Sequence, residues 1–148
     1  MTKPTSPIQL RRLLWVGPLA VVASVIGVLL IQIIAVALLK PDPLPMSLNW
    51  GAPIVFTVVL VTAAVAVFAL VARFIKNPIR TYQIIALVVL VISFLPDIAY
   101  AGSSMPGAMH STGSAQGWPV AIVLMLMHVA AWAICVSILV KLSVTENK

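Results

Sequence analysis

Long apolar stretches broken by short polar segments dominate the chain. Four of them, residues 13–39, 52–72, 81–101 and 118–140, each run for about 20 residues or more with scarcely a charge. A helix of about 20 apolar residues crosses the roughly 30 Å hydrocarbon core of a bilayer, so the pattern predicts four transmembrane helices. The breaks have chemical causes. Lys40-Pro41-Asp42-Pro43-Leu44-Pro45 cannot continue a helix, because each proline removes an amide hydrogen and clashes with the preceding turn. Arg73-Phe74-Ile75-Lys76-Asn77-Pro78 reads as a short basic turn. Residues 102–117 are rich in Gly, Ser and Pro and read as a flexible loop. Pro53 and Pro119 stand near helix starts, where a missing N–H is tolerated. The expected architecture is all-α: one domain over residues 1–148, folded as an antiparallel up-down four-transmembrane-helix bundle.

Composition agrees. The chain is 62% hydrophobic and 8% charged, against roughly 25% charged in soluble domains. The net charge of +6 does not suggest nucleic acid, because the basic residues sit at the ends of apolar runs. They read as topology signals and as attraction to anionic headgroups. Lys3, Arg11 and Arg12 precede the first span, Arg73, Lys76 and Arg80 lie between the second and third, and Lys141 and Lys148 follow the fourth. The other two connections hold only Lys40. Both termini and the middle loop are therefore expected in the cytoplasm, in a multi-pass protein of the inner (cytoplasmic) membrane. Trp50 and Trp118 are expected at the outer interface, and Trp15 and Tyr82 at the inner one. The basic start, the long apolar run and Ala35-Val36-Ala37 imitate a signal peptide, but the run is too long for one and predicts a retained anchor.

Small residues recur along the first span (Gly17, Ala20, Ser24, Gly27, Ala35) and along the second and fourth. Lipid tails are as apolar as leucine, so helices in membranes associate through close packing at such positions. A single cysteine, Cys135, rules out an intrachain disulfide and a Cys-x-x-Cys redox pair.

Candidate chemistry is confined to a few polar residues. Asp97 is the only acidic residue within a span, and a carboxylate in lipid is expensive unless it finds a partner. It lies 17 residues past Arg80, or roughly 25 Å from the cytoplasmic edge. Gln32, Ser93, Asp97 and Tyr100 are expected to form a polar cluster near the outer face, with His110 in the adjoining loop above it. His128 is expected near the midplane, with Thr62 and Ser93 at hydrogen-bonding depth. On this reckoning Asp97 and His128 differ by about 10 Å in depth, too far for contact. Met105, Met109 and His110 are weak candidates for Cu(I), although methionine more often fills gaps in apolar packing. No metal and no cofactor is expected. Arg80 is expected to mark the interface and Thr81 to cap the third helix.

The motifs Arg11-Arg12-Leu13-Leu14-Trp15, Asn77-Pro78-Ile79-Arg80-Thr81, Phe94-Leu95-Pro96-Asp97 and Met127-His128 resemble an uncharacterised bacterial family of small four-helix integral membrane proteins, a domain of unknown function. The resemblance implies the fold and a bacterial inner-membrane location, and no activity.

The favoured functional expectation is a structural or accessory membrane component, in contact with the lipid bilayer and with a homo-oligomer or membrane-protein partner. The alternative is a small transporter or ligand-binding bundle using Asp97 and His128, as an oligomer. No span carries a glutamate, so the chain does not fit the small multidrug exporters that use one in their first helix. An enzyme is not expected: Gly-x-Ser-x-Gly, His-Glu-x-x-His and phosphate-binding loops are all absent.

Overall fold

A computed structural model describes residues 10–40, 48–75, 77–102 and 117–143. They form four helices: α1 (Leu10–Leu39), α2 (Gly51–Phe74), α3 (Pro78–Gly102) and α4 (Gly117–Ser143). All four are long and apolar enough to cross a membrane. Each extends its expected span by up to three residues at an end, because the helix outlasts the purely apolar run and takes in flanking polar residues.

The helix ends follow proline and cap chemistry. α1 ends at Lys40, whose φ of 43° is left-handed and whose N–H donates to the Val36 carbonyl at 3.0 Å. That geometry closes the last turn in the manner usually given to glycine. α2 closes through the Ile75 N–H onto the Val71 carbonyl at 3.0 Å. Pro78 is the first residue of α3, the position where proline's fixed φ helps and its missing donor is harmless. Thr81 therefore lies inside the first turn and does not cap it, contrary to expectation; its N–H donates to Asn77 O at 3.2 Å. Pro18 and Pro96 sit within α1 and α3 and each withholds one N–H from the ladder.

α1 packs most extensively against α4, and then against α2; α4 also packs on α3, whereas α2 and α3 meet only sparsely. The small residues of α1 explain the close contacts. Ala20 and Ser24 are fully buried. A Cβ on Gly17 would approach Val65 of α2 to 3.0 Å, and one on Gly27 would come within 2.5 Å of Ile134 of α4. Both glycines thus stand where a neighbouring side chain occupies the space of a methyl group.

Two clusters form the interior. The first takes residues from all four helices, including Ala20, Val61, Phe68, Tyr82, Cys135 and Leu139. The second takes Val28 and Ala35 of α1, Leu48, and Val120, Val123 and Met127 of α4. Phe68 and Tyr82 meet edge to face, with ring centroids 4.8 Å apart. Tyr82 is 1% exposed, so it is a core residue and not the interfacial anchor its position suggested. Trp15, Trp50 and Trp118 are exposed. Only 11% of the α3 span is buried inside the bundle, against 28% for α1, so α3 presents most of its surface to lipid.

Candidate functional site

Most polar side chains within the spans turn back on their own helices. Thr62 Oγ1 donates to Val58 O at 2.6 Å, and Ser93 Oγ donates to Leu90 O at 2.7 Å. His128 Nδ1 lies 2.8 Å from Leu124 O. A carbonyl can only accept, so Nδ1 carries the proton. Hydrocarbon offers no water to these groups, and a carbonyl one turn back is the nearest acceptor. Thr62 and Ser93 therefore do not hydrogen-bond His128, contrary to the sequence-based expectation.

Asp97 and His128 do meet. Asp97 Oδ2 lies 3.3 Å from His128 Nδ1, which corrects the expected separation in depth. Side-chain lean contributes. In an α-helix the Cα–Cβ bond tilts toward the N-terminus. Tyr82 of α3 touches Cys135 of α4, whereas Asp97 of α3 touches His128 of α4; the pairings climb one helix as they descend the other. The two side chains therefore lean toward each other, which narrows the gap reckoned along the helix axes.

The Nδ1 proton is directed at Leu124, so Asp97 Oδ2 is buried with no hydrogen-bond donor. Asp97 is 6% exposed. The Phe94 ring stands edge-on to the imidazole, centroids 6.5 Å apart and planes at 88°. Asp97, His128 and Phe94 make a compact α3–α4 contact with one unmet acceptor.

Gln32 does not join it. Its Nε2 donates to the Leu48 carbonyl at 2.7 Å, tying α1 to the residue just before the start of α2. Its Oε1, like Ser24 Oγ, is buried without a partner. Nothing is described of the Tyr100 side chain, and Met105, Met109 and His110 lie outside the described residues. Among the described residues no group of three His, Cys, Asp or Glu side chains could hold a metal. Met127 is buried in the second cluster, the gap-filling use of methionine.

Where α2 and α3 diverge, a crevice of about 270 Å³ opens onto α4. Leu60 and Ala64 line it from α2, Ala86 and Val89 from α3, and His128 and Trp132 from α4. Trp132 Nε1 is buried with no acceptor. Small residues on α2 and α3 at this level were the available signal, but helices apolar on every face do not reveal which way those residues point.

A family model described as a family of unknown function (DUF6069) matches residues 4–144. The chain belongs to this family. The match spans all four motifs on which the resemblance rested. No curated protein and no solved structure matches the chain.

Proposed function

We propose that this member of the family is a non-enzymatic accessory component of a bacterial inner membrane. It is read as one antiparallel up-down bundle with both termini in the cytoplasm. The observation that carries this reading is the inward economy of the polar side chains. Thr62, Ser93 and His128 close on their own helices, and Gln32 closes on Leu48. They do not line up into a wet path, and the open space between α2 and α3 is walled mainly by apolar side chains. Positioning of helices in lipid, and contact with a membrane partner or a second copy, suits such a molecule.

The lysine and arginine distribution supports the orientation. Cysteine-accessibility labelling at positions 3 and 148, in a variant lacking Cys135, tests it. Labelling of both sites from the cytoplasmic side is expected, and labelling from opposite sides would sink the topology.

One observation favours a second reading, a proton-linked transporter or ligand-binding bundle acting as an oligomer. It is the Asp97–His128 approach at 3.3 Å with Oδ2 unmet, since ionisable pairs in membranes commonly carry proton relays. The two readings separate on Asp97→Asn. The accessory reading expects a modest change in detergent stability and no change in proton flux in proteoliposomes. Proton flux in the native protein that the variant abolishes would establish the second.

A further inference from the structure

The crevice between α2 and α3 is an apolar slot beside lipid. Its rims, Leu60 of α2 and Val89 of α3, are each half exposed, and Ala131 of α4 lies at its floor. The two hydroxyls on its walls are already engaged: Ser93 donates to Leu90 O, and Tyr82 meets Cys135 Sγ at 3.8 Å. Water needs two to four polar partners and finds few here. A void at the bilayer leaves its lining short of dispersion contacts, so hydrocarbon fills it. The volume of about 270 Å³, at about 30 Å³ for each water-sized group, takes about nine methylenes. The slot runs for roughly 10 Å along α2 from Leu60 to Val67. Its cross-section therefore admits a single chain and not a helix about 10 Å in diameter.

One helix row leads from the slot to a cation. Leu60, Ala64 and Val67 line the slot from α2, and Val71 and Phe74 continue the row at steps of four and three residues. Phe74 is 75% exposed at the end of α2. The Arg73 guanidinium stands over its ring, 5.7 Å from the centroid, so stacking draws that charge onto the row. Among the described residues no carboxylate pairs with Arg73; Asp97 meets His128 instead. Arg73 lies six residues beyond Val67, or roughly 9 Å along the axis, where a span of this length reaches the headgroups. We propose that the slot and Arg73 together bind one anionic phospholipid, drawn from the leaflet that meets the α2–α3 turn. Its phosphate pairs with the Arg73 guanidinium. Its glycerol end crosses Phe74 and Val71, and the distal part of one acyl chain lies against Ala64, Ala86 and Ala131. Lys76 and Arg80 add positive charge at the same turn, and residues 43–96 contain no Asp or Glu. A zwitterionic headgroup brings an ammonium into that field and is disfavoured.

Trp132 lines the slot and serves as its reporter. Trp15→Phe, Trp50→Phe and Trp118→Phe leave it as the sole tryptophan of the full-length chain, held in lipid nanodiscs. Phosphatidylglycerol with brominated acyl chains should quench its fluorescence saturably. Phosphatidylcholine with the same chains should do so about 5-fold more weakly, the preference that one arginine near the headgroups gives. Arg73→Gln should erase the preference and leave quenching by the chain. Ala86→Leu, or Ala64→Leu as a second variant, fills the slot and should remove most of the quenching by both lipids. Added inorganic phosphate should not compete. Native mass spectrometry in detergent gives an independent reading: one phosphatidylglycerol retained per chain, and lost on either Arg73→Gln or Ala86→Leu. Equal quenching by the two lipids, a preference that survives Arg73→Gln, or quenching that survives both alanine variants would overturn the proposal. So would competition by inorganic phosphate, which would mark a free-anion site, or a smaller oligomer on Ala86→Leu, which would mark the slot as a seat for a second copy.

Discussion

The seam between α1 and α4 and the seam between α2 and α3 are built on opposite plans. Along the first, Gly27 admits Ile134 so closely that a methyl group would collide with it, and the second cluster draws on α1 and α4 together with Leu48. Along the second, Phe68 and Tyr82 meet at one end, and the helices then part around a crevice. In lipid, helices gain little by hiding apolar surface from one another, so a seam closes where small residues permit intimate packing. α2 and α3 also carry alanines, but Ala64 and Ala86 both face the gap and leave it unfilled. Possession of small residues is thus not enough; opposing side chains must be large enough to enter the space they leave.

Substitutions can break or sharpen that contrast. The largest effect is expected from Phe68→Ala, because Phe68 is fully buried where α2 and α3 do meet. A loss of about 3 kcal/mol is expected, at the low end for such cavities because the reference environment is itself apolar. Thermal unfolding in detergent reads it. Gly27→Leu should force α1 from α4 and lose about 1–3 kcal/mol by overpacking; an unchanged melting temperature would mean that the tight seam is softer than its geometry implies. Gln32→Leu removes the bond to Leu48 O and should lose about 1 kcal/mol, together with faster proteolysis ahead of α2. Ala86→Leu, on the open seam, should alter stability by less than about 0.5 kcal/mol. Ala86→Leu as damaging as Gly27→Leu would abolish the distinction between the seams.

Much of this fold could be read from the chain alone. The four spans are apparent because apolar runs of bilayer length are stopped by Pro41, Pro43 and Pro45, by the Arg73–Pro78 turn, and by the Gly- and Ser-rich stretch after α3. The rotation of each helix was hidden. Tyr82 looked like an interfacial anchor because of its place near a helix start, yet it faces inward onto Phe68 and Cys135. A helix apolar on all sides offers no moment from which to infer its inner face. The Asp97–His128 contact was missed for a different reason. Depth counted along straight axes from the helix ends does not give the register between two helices, and here two atoms of different counted depth lie 3.3 Å apart. The polar residues themselves were identifiable by type; their partners depended on three-dimensional placement.

The Gln32–Leu48 bond has a consequence for how the molecule is made. Gln32 is fully buried, and a primary amide stranded in hydrocarbon is strongly disfavoured. On leaving the insertion machinery by itself, the first helix carries this unmet donor. Relief comes only when the following stretch delivers the Leu48 carbonyl to the same level. The first two helices are therefore expected to mature as a latched hairpin, and a released chain truncated ahead of Leu48 should be vulnerable to membrane quality-control proteases.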